Sequence, residues 1–224
     1  MTPPTFDTLR QEADDRTLIR KIQKAIIMLR VSTEALPTTL FASGGGLVDF
    51  KAEGWLPVGM ITPDGIEYGR DISEEDVQAF GYSSAQRTDV TEVARSVTFT
   101  ALEYGRRHML ELSLGTDLES ATQNQTTGEV VFDEPEMPVN QEYQMLVLGA
   151  DGPADNQWLL GRAYGAVKLS STDSQKWASS DPLTTPITMK VLTDAETGVP
   201  LRHFMGGTGA LKAKATLGFT AATP

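Results

Sequence analysis

The fold class is decided by residues 90–102, which read Val90-Thr91-Glu92-Val93-Ala94-Arg95-Ser96-Val97-Thr98-Phe99-Thr100-Ala101-Leu102. Val93, Val97 and Phe99 share one face of an extended chain, because successive side chains of a strand point to opposite faces. Serine and threonine occupy the other face, at Ser96, Thr98 and Thr100. This alternation is typical of a half-buried β-strand.

The sequence on both sides of this stretch predicts further strands. The triplet Pro63-Asp64-Gly65 predicts a turn between two of them, because proline presets φ and glycine accepts positive φ. A second turn is predicted at Gly198-Val199-Pro200. The remaining apolar or alternating runs are predicted strands, at about 58–62, 65–69, 129–133, 142–150, 157–170, 183–192 and 201–205.

Helical spacing is confined to a few segments. Residues 103–114 carry apolar side chains at helical spacing, and Gly115 is a typical helix stop. Ser73 and the three acids after it predict one helical turn reaching about Phe80, since acids favour the first turn of a helix. Residues 6–26 are predicted to be helical in part, while the apolar run 25–31 fits a buried strand or a helix equally well.

Together these elements predict a mainly β (α+β) chain. Many short strands with one substantial and one marginal helix indicate an antiparallel β-sandwich or part-barrel, flanked by one α-helix that covers an open end. The expected organisation is an N-terminal arm or helix over residues 1–34, the β-sandwich domain over 35–207, and a C-terminal tail over 208–224.

Composition places the chain among folded, water-exposed proteins. Its 224 residues suffice for one sizeable domain with arms, and its hydrophobic fraction of 40% is ordinary for a folded protein. The longest apolar stretch, Ala25–Leu29, is far shorter than the run of about 18 residues that a membrane span needs. The N-terminus lacks the apolar region of a signal peptide. We therefore expect a soluble protein made in the cytoplasm.

The sequence leaves few enzyme mechanisms open. It contains no cysteine and two histidines, His108 and His203, so disulfides and thiolate chemistry are excluded and most zinc sites are out of reach. His108 follows Arg106 and Arg107 within a helical pattern, which favours a surface or interface role. There is no Gly-x-Ser-x-Gly nucleophile motif. We expect no catalytic residue, no metal site and no cofactor.

Three segments suggest chemistry but lack the spacing for it. The glycine-rich stretch 206–212 has no adjacent Gly-Lys-Ser/Thr, so it is not predicted to bind phosphate. Residues 151–156 depart from the alternating ligands of a calcium loop. Glu134 and Glu136 could pair as acid and base in a glycosidase, but Pro135 between them indicates a loop without aromatic neighbours.

Charge is distributed unevenly along the chain, whose formal net charge is −11. Residues 1–36 hold six bases and five acids, and residues 162–224 hold seven bases and four acids. Between Arg107 and Arg162 there is no lysine or arginine, although ten acids occur there. A protein that grips a DNA duplex clusters bases instead. The acidic middle is either a set of solvated loops or a surface with a specific use.

One stretch of the sequence resembles a known family of proteins. It reads Trp55-Leu56-Pro57-Val58-Gly59-Met60-Ile61-Thr62-Pro63-Asp64-Gly65-Ile66. It resembles the major tail tube proteins of long, non-contractile-tailed bacteriophages (siphophages), especially phages of actinobacteria. In that family a Trp-x-x-x-Gly element leads into a short strand, an Asp-Gly turn and a second strand. Further blocks resemble the family in matching order, at Arg87-Thr88, 96–100, Leu102-Glu103, 158–169 and 200–207.

The resemblance, over residues 35–207, implies a structural virion protein. Such proteins fold as a β-sandwich flanked by a helix and form hexameric rings that stack head to tail. Their strands line the lumen as a continuous β-barrel. The implied partners are other copies of the chain, the tape measure protein, and the tail tip and tail terminator proteins. DNA passes through without being bound, and no membrane partner is implied. The implied location is the virion tail, after synthesis in the host cytoplasm.

The resemblance also implies roles for particular residues. Trp55, Gly59, Asp64, Gly65 and Trp158 are candidate core or interface anchors, and for the tryptophans these two roles are equally open. In a tube that conducts DNA, an acidic wall would repel the duplex and keep it from sticking. We therefore expect several acids of the middle segment to face the lumen, from the set Glu129, Asp133, Glu134, Glu136 and Glu142.

Two alternatives stay open at the level of sequence. An inner tube protein of a contractile tail or of a secretion-type injection system has the same fold as the siphophage tube proteins and also assembles into stacked rings. A monomeric β-sandwich that binds a small molecule or sugar is the alternative from a different class.

Overall fold

The computed structural model describes residues 5–31 and 34–220. Residues 1–4, 32–33 and 221–224, which belong to the predicted N-terminal arm and C-terminal tail, lie outside the described residues. The elements in chain order are α1 (Phe6–Ala13), β1 (Lys24–Val31), β2 (Leu56–Pro57), β3 (Ile61–Val77), β4 (Arg87–Ala101), α2 (Arg107–Leu114), β5 (Tyr143–Asp151), β6 (Trp158–Thr172), β7 (Thr185–Leu192), β8 (Arg202–Gly206) and α3 (Thr208–Lys212). Single 3₁₀ turns occur at Arg16–Leu18 and Ala154–Asn156.

The strands of the described residues belong to one eight-stranded sheet. Its order is β2-β1-β5-β6-β7-β4-β3, and β8 pairs with β6 outside this path. The pairs β1–β2, β3–β4, β4–β7 and β6–β7 are antiparallel. The prediction of a mainly β, antiparallel fold with few helices is confirmed.

The chain divides into two compact units, each built from separate segments. The terminal unit comprises Met1–Ala25, Leu148–Gly161 and His203–Pro224. The central unit comprises Ile26–Val147 and Arg162–Arg202.

The core of the central unit forms on one face of β4, as the alternation in its sequence predicts. Val97, Phe99 and Ala101 are buried, while the residues between them are only half-buried. Met109 and Leu112 bring one face of α2 against the same core. Burying each large apolar side chain contributes about 1.5–3 kcal/mol. The other buried members of this core are Ile27, Leu29, Val58, Met145, Val147, Tyr164, Val167, Ile187, Met189 and Val191.

The predicted turn at Pro63-Asp64-Gly65 is wrong. The chain does not reverse there, because β3 is one continuous strand that pairs with β4 on both sides of the triplet. Ile61 is opposite Ala101 and Ile66 is opposite Phe99, so four residues of β3 face one residue of β4. The triplet forms a bulge, and Gly65 supplies its positive φ of +85°.

Two further predicted elements are wrong. The helical turn over 73–80 is instead the end of β3, where Ser73 is opposite Glu92 and Val77 is opposite Arg87, because pairing with β4 overrides local propensity. The predicted strand 129–133 is replaced by one isolated bridge, between Gln123 and Val130. The Asn124 side chain accepts hydrogen bonds from the backbone N–H groups of Thr126 and Thr127, which favours a local turn over a strand.

The ambiguous run 25–31 is a strand, β1, and the helical part of the N-terminus is limited to α1 and one 3₁₀ turn. Helix α2 begins at Arg107, later than predicted, and ends at Gly115 with φ +61° as predicted. The short helix α3 was not predicted, since its sequence lacks an apolar period.

Candidate assembly surface

The most exposed part of the sheet is a hairpin arm formed by β3 and β4. Residues 96–101 of β4 pair with β7, whereas, within the described residues, positions 87–95 pair only with β3. Every residue of β3 from 70 to 77 is exposed. We call residues 70–94 the β-arm. The β-arm is therefore a two-stranded ribbon that continues beyond the part of the sheet that β7 supports.

The β-arm exposes apolar side chains on a ribbon that has little core of its own. Phe80 is fully exposed and Tyr82 is 65% exposed, next to the turn glycine Gly81. Ile72, Val77 and Val90 are also exposed. An isolated two-stranded hairpin is marginally stable in water, and clustered exposed apolar groups mark interaction sites. The β-arm is therefore suited to contact another protein surface.

The outer edge of β3 is also open. In the described part of the chain β3 is the last strand of the sheet and pairs only with β4. Its 17 residues present a row of backbone N–H and C=O groups without a strand partner. The strand at the opposite edge, β2, is only two residues long. Strand addition from another chain therefore has one long edge available.

A hydrogen-bonded clamp holds the start of β3. The Glu103 carboxylate accepts from the backbone N–H of Met60 at 2.7 Å and from Nε of Arg106 at 2.6 Å. The hydrogen bond from Met60 is the main cause that lowers the pKa of Glu103. Gly59 lies against this carboxylate with φ +96°, so a side chain at this position would collide with it. The clamp therefore holds the backbone at Met60, directly before the first residue of β3.

Trp55 lies in the interior of the central unit. It is fully buried, and the Phe50 ring meets it edge to face at a centroid distance of 6.5 Å. The Arg30 guanidinium lies 4.5 Å from the ring centroid and donates from Nε to the Gln144 side chain at 2.7 Å. The indole Nε1 is buried without a hydrogen-bond partner among the described residues. This burial allows Trp55 a packing role within the subunit.

Asp64 and Gly65 lie in the bulge of β3. Asp64 is exposed and accepts a hydrogen bond from the Thr62 hydroxyl at 3.2 Å. A side chain at Gly65 would meet open space. These two residues shape the strand locally.

Trp158 belongs to the terminal unit, where it is 3% exposed at the start of β6. The Arg20 guanidinium lies 4.4 Å from its ring centroid and also forms an ion pair with Asp151 at 3.3 Å. Gly209 of α3 packs against the indole closely enough to leave no room for a side chain. Trp158 thus joins three segments of this unit.

The five acids predicted to face a lumen occupy different settings in the central unit. Glu129 and Asp133 line one polar depression of about 580 Å³, formed by residues 116–133. Glu134 and Glu136 are exposed beyond it. Glu142 is half-buried and pairs with Lys168 at 3.6 Å. The single chain therefore brings two of the five together and leaves four exposed to solvent.

The histidines and acids do not assemble into a metal centre within the described residues, where no group of three or more potential ligands occurs. His108 donates from Nε2 to the Pro57 carbonyl at 2.9 Å, which fixes α2 against the segment after Trp55. Burial is the main cause that lowers the pKa of His108. His203 lies in β8 of the terminal unit. None of the helices in residues 5–31 and 34–220 has the length and apolarity of a membrane span.

The sequence does not predict the β-arm, because the acids at positions 74–76 favour the first turn of a helix. A usable signal was present in Phe80-Gly81-Tyr82, where a glycine separates two aromatic residues between strongly polar segments. Glycine is a common turn residue, and aromatic side chains are enriched among the residues that dominate binding at protein interfaces.

These features define a class: a mainly β protein with one antiparallel sheet, a long open edge and a β-arm that exposes aromatic side chains. No family model matches the sequence, and no curated protein sequence matches it significantly. Solved structures that are similar to this chain include the following two. One is the tube terminating cap of the anti-feeding prophage, with 8% identity over 87% of this chain and 97% of that chain, at a TM-score of 0.41. The other is an Hcp protein, with 12% identity over 82% of this chain and 98% of that chain, at a TM-score of 0.32. At these scores neither similarity establishes a shared fold.

Proposed function

We propose that this chain is a structural subunit that self-assembles into a tube, namely the tail tube of a long-tailed bacteriophage. The observation that carries the proposal is the β-arm, which combines an unpaired strand edge with exposed aromatic side chains. Contact with a different surface of another copy would offer partners to its free backbone groups and cover its apolar side chains. The chain has no role as a catalyst in this proposal.

Such a contact is heterologous, because the β-arm of one copy meets a different surface of the next. A heterologous contact gives a ring when its rotation closes and a filament when it does not. The resemblance of residues 35–207 to siphophage tube proteins supports hexameric rings that stack head to tail. The partners would then be the tape measure, tail tip and tail terminator proteins, and the location would be the virion tail after synthesis in the host cytoplasm.

In this tube we assign the lumen wall to part of the acidic middle segment. Glu129, Asp133, Glu134 and Glu136 are exposed in the single chain, and no lysine or arginine lies between Arg107 and Arg162. A basic wall would bind phosphates with release of counterions and so retain DNA. An acidic wall repels the duplex and leaves it free to slide. DNA would therefore pass without being bound.

A monomeric ligand-binding module has one feature in its favour, the depression formed by residues 116–133. Its volume of about 580 Å³ is in the range of small-molecule sites. Its lining includes three carboxylates, two amides and three hydroxyls, whereas such sites are mostly apolar. The β-arm would also have no use in a monomer, so the tube is the better-supported function.

Sedimentation velocity of the purified chain over a range of concentrations tests the proposal. We expect hexamers or larger polymers that grow with concentration. A single monomer species at the highest concentration, even with tape measure and tail tip proteins added, would contradict the proposal and favour the binding module. A sheath around the tubes in virion micrographs would instead assign the chain to a contractile tail.

A further inference from the structure

We infer that the acidic β-arm of one copy docks on a basic strip, residues 16–24, at the N-terminal end of a second copy. The inference rests on the proposed function, because it names the surfaces through which successive subunits recognise each other. It follows from the charge, exposure and unpaired groups of two segments of the same chain.

The β-arm has an excess of negative charge that the chain does not neutralise. Residues 70–94 contain six acids, at positions 71, 74, 75, 76, 89 and 92, and two bases, Arg70 and Arg87. Arg87 pairs with Asp89 at 2.7 Å, and the Thr88 hydroxyl donates to Asp76. Within the described residues the carboxylates of Asp71, Glu74, Glu75 and Glu92 have no hydrogen bond or ion pair.

The register of the β-arm makes this charge unfavourable in the free subunit. Glu75 of β3 is directly opposite Asp89 of β4. Like charges that face each other across a strand pair destabilise it. A cationic partner at this position would relieve the repulsion, while the exposed Phe80 and Tyr82 would gain an apolar contact.

The basic strip has the complementary character. Its only charged residues are Arg16, Arg20, Lys21 and Lys24, and it contains no acid. Ile19 is 73% exposed, and Leu18 and Ile22 are also exposed. The strip therefore offers positive charge together with apolar side chains, as the β-arm offers negative charge together with apolar side chains.

One of the four bases holds the strip in place, and the others are left for a partner. Arg20 stacks on Trp158 and pairs with Asp151, and the backbone N–H of Lys21 donates to the same carboxylate at 3.3 Å. The backbone N–H of Gln23 donates to the Ala150 carbonyl at 3.0 Å. The side chains of Arg16, Lys21 and Lys24 are without an ion pair in residues 5–31 and 34–220.

A second copy of the chain is therefore the occupant that fits the β-arm. Both segments are exposed in the single chain, so both are available to another copy. Each subunit carries one β-arm and one basic strip, so the contact repeats head to tail without being self-complementary. Charge complementarity of this kind sets the register and excludes the reversed orientation, in which like charges meet.

A charge-reversal cycle tests the inference in the full-length chain. The strip variant is Lys21→Glu/Lys24→Glu, and the arm variant is Glu74→Lys/Glu75→Lys. Each alone brings like charges together, so we expect the concentration needed for assembly to rise at least about tenfold, which corresponds to about 1.4 kcal/mol. Combining all four substitutions restores opposite charges, and an equimolar mixture of the two variants does the same. We expect both to assemble near the wild-type concentration.

Matched controls change the same net charge at exposed residues elsewhere. They are Lys51→Glu/Lys176→Glu for the strip and Glu119→Lys/Glu196→Lys for the arm, and we expect both to assemble like the wild type. Circular dichroism checks that every variant is folded. Rescue by the fourfold variant also excludes misfolding, since a damaged strip would not be repaired by a change in the β-arm.

The outcomes separate the inference from the proposed function. If the wild type assembles and the strip and arm variants assemble like their controls, the inference is overturned and the tube remains. If both variants lose assembly but neither the fourfold variant nor the mixture regains it, the pairing of these two surfaces is overturned. If the wild type stays monomeric, both the tube and the docking are overturned.

Discussion

At the residue scale, the structure explains the glycine of the Trp-x-x-x-Gly element through one close approach. Gly59 has φ +96° and lies against the Glu103 carboxylate that binds Met60. Gly65 has a similar φ of +85° but faces open space. Comparing the same substitution at the two glycines therefore distinguishes the cost of backbone strain from the cost of a steric collision.

We predict that Gly59→Ala lowers the free energy of unfolding more than Gly65→Ala does. Positive φ costs a non-glycine residue about 1–3 kcal/mol at either position, and only at Gly59 is the clamp around Glu103 also displaced. Urea unfolding followed by circular dichroism measures the difference. Equal losses in the two variants would show that the contact with Glu103 adds nothing.

A pH effect is expected from His108. Because burial lowers the pKa of His108, the unfolded chain binds a proton at this residue more readily than the folded chain does. The stability that neutral His108 provides is therefore present above its ordinary pKa of about 6.5 and is lost as the pH falls below it. Arg106 and Arg107 favour the neutral form, while Glu111 and the Pro57 carbonyl oppose it.

The measurement is the unfolding free energy of the wild type and of His108→Gln between pH 7.5 and 5.5. We expect the wild type to lose more stability over this range than the variant. Lowered carboxyl pKa values, such as those of Glu103 and Asp194, act at lower pH and are the same in both proteins. Parallel pH profiles would contradict a role for His108.

At the element scale, the sequence predicted those strands whose pattern reflects their own burial. The alternation in β4 is visible because its Val97, Phe99 and Ala101 face the core. Residues 70–77 of β3 have no buried face, so their sequence lacks the alternation of a half-buried strand. The acids in this segment instead resemble the first turn of a helix. The conformation of this segment comes from pairing with β4, a tertiary contact that a single local segment does not encode.

The candidate assembly surface, like the strands, was predictable from the sequence only in part. The resemblance to tail tube proteins singled out Trp55 and Trp158 as core or interface anchors, and both side chains are buried in the single chain. It missed the β-arm, whose importance depends on where β7 stops supporting β4. The positions of the five acids relative to a lumen depend on neighbouring subunits, so the sequence of one chain supports them only as a hypothesis.

We predict that shortening the β-arm removes assembly and spares the fold. Ile72 and Val93 are opposite each other, so residues 73–92 can be replaced by Asn-Gly, a dipeptide that favours a two-residue hairpin turn. The core residues Val97 and Phe99 are untouched. The shortened chain should keep its circular dichroism spectrum and sediment as a monomer. Normal polymers from this variant would exclude the β-arm as an assembly element.

At the scale of the whole molecule, the uneven charge distribution has a consequence for a tube that conducts DNA. We predict that tubes of the triple variant Asp133→Lys/Glu134→Lys/Glu136→Lys retain DNA, whereas wild-type tubes do not. Retention should fall steeply with salt, since binding to phosphates releases counterions. Co-sedimentation of tubes with DNA measures the effect. Equal retention by both tubes would place these acids outside the lumen and leave the tube assignment intact.

Electron microscopy of the concentrated protein tests whether this chain is a tube-forming structural protein. We expect rings with six-fold symmetry or stacked tubes, with the β-arm of each subunit in contact with a neighbouring subunit. Fields of dispersed single particles of about the 24.3 kDa chain mass, unchanged by added tape measure and tail tip proteins, would contradict it.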